Sequence, residues 1–289
     1  MTGPVHWLDA GGNPDGPTLV LVHGLGGSHL NWDLLAPHLT PHARVLAIDL
    51  PGFGLSEPTG RPATVRSNVA VLAGFLREHG AGPAVLVGNS MGGLVCVLLA
   101  ARMPELVRGL VLLDPALPAP ARVLRSPGDA AMLALYALPG VGERLRRDRR
   151  RRIGPRATVD ETLALCGVDR DALPAGLVER SVAMVDRQSD VTGMDRAFLS
   201  ASRSLAWTLA RPRAYHRAMA SITAPVLLLH GEKDRLVPVG AARATARHHP
   251  DWTYVELAGA GHLPQMQMPA QVAACILDWL FGTDRKDTT

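Results

Sequence analysis

The chain is poor in aromatic residues, in cysteine and in lysine. Aromatics make up 4% of its 289 residues, so a ligand pocket is expected to be lined mainly by Leu, Met, Val and Ala. The three cysteines, Cys96, Cys166 and Cys275, are scattered along the chain. They show neither the spacing of a metal site nor a disulfide framework, which points to a reducing cytosol. Met1–Trp7 lacks the basic n-region and apolar core of a secretory signal, and a cytoplasmic protein is expected. No long uninterrupted apolar run is present. The longest, Ala84–Ala101, is broken by Gly88-Asn89-Ser90 and by Gly92-Gly93, so it reads as a buried strand followed by a buried helix and not as a membrane span.

What is present is a globular composition. Hydrophobic residues are 47% and charged residues 19%, which excludes a disordered chain. The length suffices for one large core with an inserted subdomain. Net charge is +4, and the basic excess is local: seven of the nine residues from Arg144 to Arg152 are Arg. Such a run can bind nucleic acid or an anionic surface. No aromatics interleave it, however, so a solvated helix face is expected and a nucleic-acid partner is not.

Apolar strand candidates alternate with helical stretches. The strands are read at Val5–Leu8, Thr18–Val22, Val45–Asp49, Ala84–Val87, Leu110–Leu113, Val226–His230 and Thr253–Leu257. Helices are read at Trp32–His38, Thr64–Glu78, Met91–Arg102, Val239–Arg247 and Pro269–Phe281. Continuous apolar strands in a βαβ rhythm predict a doubly wound, mostly parallel sheet covered on both faces. The rhythm stops after Leu113-Asp114-Pro115 and resumes at Ala224-Pro225-Val226. The intervening stretch has no convincing strand, many prolines, and helical segments at Ala130–Leu138, Leu177–Val185 and Met194–Leu209. The expected organisation is a core of residues 1–116 and 222–289, with a helical lid at 117–221.

Gly88-Asn89-Ser90-Met91-Gly92 sits between a strand and a helix. In that context G-x-S-x-G is a nucleophile elbow, a strained turn that lifts the serine hydroxyl to the top of a sheet. An ordinary Gly/Ser turn would satisfy the five letters alone; three further segments decide against it. The Gly-rich end of Thr18–Val22, His23 to Ser28, leaves backbone amides free, so Leu25 and Met91 N–H can form an oxyanion hole, with Gly26 a weaker candidate. Asp234 follows the strand Val226–Leu229, and His262 follows the last strand in Gly259-Ala260-Gly261-His262. A serine needs an adjacent base, histidine titrates in the right range, and a carboxylate holds its tautomer. The candidate triad is therefore Ser90, Asp234 and His262. Asp114 also ends a strand and is the rival acid. His23 is read as structural.

These segments, together with Asp49-Leu50-Pro51-Gly52-Phe53-Gly54-Leu55-Ser56, resemble those of the α/β-hydrolase superfamily, over roughly Val5 to Leu280 outside the lid. The resemblance implies an α/β-hydrolase fold with the lid after the sixth family strand, and makes Asp49–Gly52 a structural loop. Two departures stand out. The sheet begins with what is normally the second strand. The histidine loop reads Gln265-Met266-Gln267-Met268-Pro269 where relatives commonly carry an acidic residue. Serine as nucleophile argues against epoxide hydrolases and haloalkane dehalogenases, which use Asp. The elbow resembles that of carbon–carbon hydrolases of meta-cleavage products, but Leu263 stands where they carry Trp. The expected activity is hydrolysis of a carboxylic ester, thioester or lactone of a small apolar acyl substrate, without metal or cofactor. An acyl-transfer cyclase and a non-catalytic ligand-binding protein on the same fold are the alternatives. Met132, Leu135, Met184, Met194, Phe198 and Trp207 are the candidate lid residues for an apolar pocket.

Overall fold

In the computed structural model, residues 5–58, 60, 62–79, 82–118 and 140–282 are described. Seven strands form one sheet: β1 (Trp7–Gly12), β2 (Thr18–Val22), β3 (Arg44–Ile48), β4 (Ala84–Asn89), β5 (Val107–Leu113), β6 (Val226–Gly231) and β7 (Thr253–Leu257). The order is β1-β3-β2-β4-β5-β6-β7. β1 pairs antiparallel with β3, and every other pairing is parallel. This is the doubly wound, mostly parallel sheet that the apolar runs predict.

The helices are α1 (Ala36–Leu39), α2 (Val65–Glu78), α3 (Met91–Arg102), α4 (Val141–Leu165), α5 (Ala175–Asp190), α6 (Met194–Leu209), α7 (Pro212–Ala220), α8 (Val239–His248), α9 (Pro264–Gln267) and α10 (Pro269–Phe281). Successive strand residues point to opposite faces, and the core divides accordingly. Val20, Val22, Leu46, Ile48, Leu86 and Leu112 join α2 and α3 on one side. Leu19, Leu21, Val45, Val85, Val87 and Leu113 join α1 and α10 on the other. With both faces covered, a strand must be apolar throughout, which is why β2, β4 and β6 are legible as unbroken runs.

Two expectations are corrected. The first strand runs Trp7–Gly12 and not Val5–Leu8; as an exposed edge strand ending in Asp9-Ala10-Gly11-Gly12 it lacks an apolar signature. Trp32–His38 is not one helix. A short 3₁₀ turn, His29–Trp32, capped by Ser28, precedes the four-residue α1. Arg144–Arg152 belongs to α4, which is kinked where Gly154 adopts φ 79° before Pro155. The expected segment Ala130–Leu138 lies outside the described residues, whereas Leu177–Val185 falls inside α5 and Met194–Leu209 coincides with α6. Helices α4 to α7 all fall between β5 and β6. Among the described residues no helix is long and apolar enough to cross a membrane.

The approach of α3 to the sheet depends on missing side chains. A Cβ on Gly92 would lie 2.1 Å from the Val22 carbonyl oxygen, and one on Gly88 would lie 2.7 Å from Gly93 Cα. Gly92→Ala is therefore expected to destabilise the fold by about 3 kcal/mol, since backbone and not a flexible side chain must yield. Thermal unfolding checks this, with a fall in Tm of roughly 6–12 °C expected for a domain of this size.

Candidate active site

Ser90 stands between β4 and α3 with φ 53° and ψ −119°. A non-glycine residue in this region is strained by roughly 1–3 kcal/mol and persists only when its surroundings over-determine it. Here they do. Ser90 N–H donates to Leu113 O at 3.1 Å, and Ser90 O accepts from Leu94 N–H at 3.2 Å and Ala116 N–H at 2.9 Å. The preceding Asn89 is buried, and its Nδ2 donates to Leu113 O at 3.0 Å and to His262 O at 3.1 Å. The elbow is thus tied both to β5 and to the histidine loop.

His262 is buried and donates from Nδ1 to Asp234 Oδ2 at 2.7 Å. The other oxygen of Asp234 accepts Leu236 N–H at 2.7 Å and Val237 N–H at 3.0 Å. Burial alone would raise this carboxyl. The His262 hydrogen bond and charge, with the two amides, outweigh it and hold Asp234 below the usual carboxylate range. His262 Nε2 and Ser90 Oγ have no protein hydrogen-bond partner among the described residues. Both residues line one cavity of about 830 Å³. Asp234 and His262 are thus brought into direct contact, and Ser90 shares a wall with His262 without a direct bond.

Leu25 lines the same cavity, and Met91 is buried at the first position of α3. Neither N–H has a protein acceptor among the described residues. The glycine loop is held against the elbow: a Cβ on Gly24 would lie 3.0 Å from Ser90 Cβ. His23 anchors the loop's start, with Nδ1 donating to Gly24 O at 2.7 Å and Nε2 accepting Leu50 N–H at 3.0 Å. Burial lowers its pKa, so the ring is neutral, as this tautomer requires. Asp49 is likewise structural. It accepts His29 N–H at 2.6 Å and Leu55 N–H at 2.9 Å, and both His29 and His6 Nδ1.

Asp114 does not contact His262. It is fully buried at φ 44° on the end of β5, where Oδ1 accepts Gly231 N–H at 2.8 Å. Burial, followed by the neighbouring Asp234 charge, pushes its carboxyl well above the usual range. A neutral Asp114 therefore sits beside an ionised Asp234. His230 lies 3.6 Å from each, is kept neutral by burial, and donates from Nε2 to Val237 O at 2.9 Å. Two sets, Asp114–His230–Asp234 and His6–His29–Asp49, bring potential metal-ligating atoms within 4.8 Å of one another. Both oxygens of Asp49 and of Asp234 already accept the hydrogen bonds just described, and Asp114 accepts on Oδ1 alone.

The apolar wall of the cavity includes Phe53, Met184, Met194 and Phe198. Trp207, expected to join them, does not. It is 60% exposed, with the Arg211 guanidinium 3.5 Å from its ring centroid. Met132 and Leu135 lie outside the described residues. In the arginine run, Arg144, Arg147, Arg149, Arg151 and Arg152 are exposed, as a solvated face requires, and the other two turn inward. Arg146 and Arg150 both reach Asp195 Oδ1, at 3.1 and 3.2 Å, and with Arg149 they line the cavity. Nothing in the sequence pairs Asp195 with residues some 45 positions earlier.

The family profile described as alpha/beta hydrolase fold matches residues 17–269. The chain belongs to the α/β-hydrolase family. Its relatives include the Lipase LipV of Mycobacterium tuberculosis, 43% identical over 120 residues, which are 41% of this chain and 45% of that protein. A pimeloyl-[acyl-carrier protein] methyl ester esterase of Xanthomonas campestris is 30% identical over 264 residues, 90% of this chain and 94% of the relative. Among solved structures, a thermophilic esterase of Thermogutta terrifontis superposes with a TM-score of 0.72 at 28% identity, covering 99% of this chain and 94% of that one. This α/β-hydrolase is accordingly an enzyme of hydrolytic type, with lipases and esterases among its relatives.

The neutral Asp114 has a measurable consequence. An acid whose folded pKa is raised costs stability once pH exceeds its unfolded value near ~4, and the cost grows until the folded pKa is reached. Asp114→Asn keeps an acceptor for Gly231 N–H, tolerates positive φ and cannot ionise. Denaturant unfolding across pH 4 to 8 is expected to show the variant gaining on the wild type as pH rises. A pH-independent difference would refute a neutral Asp114.

Proposed function

We propose that this α/β-hydrolase cleaves carboxylic esters of apolar substrates through an acyl-enzyme on Ser90. The observation that carries this reading is the Asp234–His262 hydrogen bond of 2.7 Å, on a histidine that shares the wall of an apolar cavity with the strained Ser90. His262 Nε2 takes the Ser90 proton as the hydroxyl attacks the ester carbonyl. Ionised Asp234 holds Nδ1–H and stabilises the imidazolium. The Leu25 and Met91 amides receive the oxyanion. His262 then protonates the leaving alcohol and activates water to release the acid. The lipase and esterase relatives support an ester as the scissile group. Lining by Phe53, Met184, Met194 and Phe198 supports an apolar acyl or alcohol part. We further read residues 117–221 as a lid over a core of 1–116 and 222–289, because α4 to α6 contribute cavity residues while the sheet contributes Ser90 and the loops Asp234 and His262.

The wild type is expected to hydrolyse p-nitrophenyl acetate and butyrate and to be labelled on Ser90 by a fluorophosphonate. Ser90→Ala should abolish both, lowering kcat by roughly 10⁴-fold or more. A folded protein in which Ser90 resists the probe would refute the covalent mechanism.

The two aspartates separate on the same assay. Asp234→Asn is expected to lower kcat by about 10³–10⁴-fold, because the ring loses its tautomer and counter-charge. Asp114→Asn should stay within about tenfold of wild type. The reverse ranking would assign the acid to Asp114.

A further inference from the structure

α4 ends in a Schellman-type cap. Gly167 takes φ 74°, its N–H donates to Ala164 O at 3.1 Å, and Val168 N–H donates to Leu163 O at 2.9 Å. The cap leaves the carbonyls of Cys166 and Gly167 pointing away from the helix without intrahelical donors. Both are answered by the histidine loop. His262 N–H donates to Cys166 O at 2.8 Å, and Gln267 Nε2 donates to Gly167 O at 2.9 Å. The same Gln267 side chain accepts Gly261 N–H on Oε1 at 2.8 Å. The turns touch closely: a Cβ on Gly261 would lie 2.5 Å from Cys166 O. Leu163, Cys166 and Val168 share one apolar cluster with Leu263 and Met266.

His262 is therefore seated from two sides. Asp234 and Asn89 hold it from the sheet, and the end of α4 holds its backbone. We propose that Gln267 is a positioning residue whose amide ties the end of α4 to the histidine loop, making the seat of His262 depend on the placement of the helical segment between β5 and β6. The chemistry of the side chain carries this. An amide offers a donor and an acceptor at once, and Gln267 uses one toward each segment. An ionised carboxylate in the same place keeps Gly261 N–H but cannot donate to Gly167 O, and would set two acceptors against each other. Gln267 thus performs a bridge that an acidic residue cannot, and joins two segments 100 residues apart in sequence.

The inference rests on the reading of His262 as the general base, and its test keeps the two apart. Hydrogen exchange of the full-length protein is followed by mass spectrometry over peptides 163–169 and 259–264, in wild type, Gln267→Glu and Gln267→Ala. kcat and KM for p-nitrophenyl acetate are measured on the same samples. Gln267→Glu is expected to speed exchange about tenfold in both peptides together, as befits local opening of a shared unit. It should lower kcat about tenfold with KM and Tm nearly unchanged, because a displaced base costs rate without costing binding. Gln267→Ala should match or exceed it; if that variant does not fold, Gln267→Glu decides alone. Wild-type exchange at 163–169 in Gln267→Glu overturns the tie, and altered exchange with wild-type kcat overturns the positioning role. A wild type inert to esters and fluorophosphonate would sink the base assignment. The coupled or uncoupled exchange of the two peptides would still decide the bridge.

Discussion

The strained turn at Ser90 is the constraint on which the rest of the site depends. A residue at φ 53° is held there by Leu113 on one side and by Leu94 and Ala116 on the other. The Leu113 contact requires β4 to pair with β5, and those to Leu94 and Ala116 require α3 to lie almost on the sheet. That is possible only because Gly92 faces the Val22 carbonyl with no side chain, and Gly93 likewise faces Pro115. The registers of β2, β4 and β5 therefore determine where the Ser90 hydroxyl sits. A slip of one residue in any pairing would invert the faces of a strand and remove the turn's partners.

The two aspartates beside this turn show how environment, and not residue type, divides roles. Both follow strands, Asp114 directly after β5 and Asp234 three residues after β6, and both are buried. Asp234 has three donors, one of them the histidine ring, and stays ionised. Asp114 has one amide donor and a charged neighbour, and stays neutral. Two adjacent carboxylates cannot both ionise at low cost away from water. The asymmetric supply of donors decides which one does.

Most of this architecture was readable from the chain. β2, β7, α3, α6 and α10 occupy the expected residues. β2 and α3 are buried on nearly every side and α6 carries an apolar stripe, so their burial is written in their letters. The motif residues around Ser90, Asp234 and His262 were legible for a similar reason, since turns and strand ends restrict which residues fit. Edge strand β1, largely exposed, and the short turn before α1, set by the Ser28 cap, were not. Nor was the bridge through Gln267. The loop reads as a departure from an acidic pattern, and only the position of Gly167 reveals what an amide can do there.

The arginine run illustrates the limit best. By composition it resembles a solvated basic face, yet Arg150 is nearly buried, bonded to Asp195, Ser189 Oγ and Val185 O, while Arg146 stacks 3.5 Å from the Phe198 ring centroid. Two guanidiniums on one carboxylate are not a cheap way to build a wall. Desolvation offsets much of their attraction, and apolar residues of similar size could pack as stably. What charge adds is direction. A guanidinium reaching a carboxylate, a hydroxyl and a carbonyl fixes α4 against α5 and α6 in one register, where greasy side chains would tolerate several. The same α4 ends on the histidine loop. The ion pairs before its Gly154 kink thus place the cavity wall, and the hydrogen bonds at its end seat the loop that carries His262.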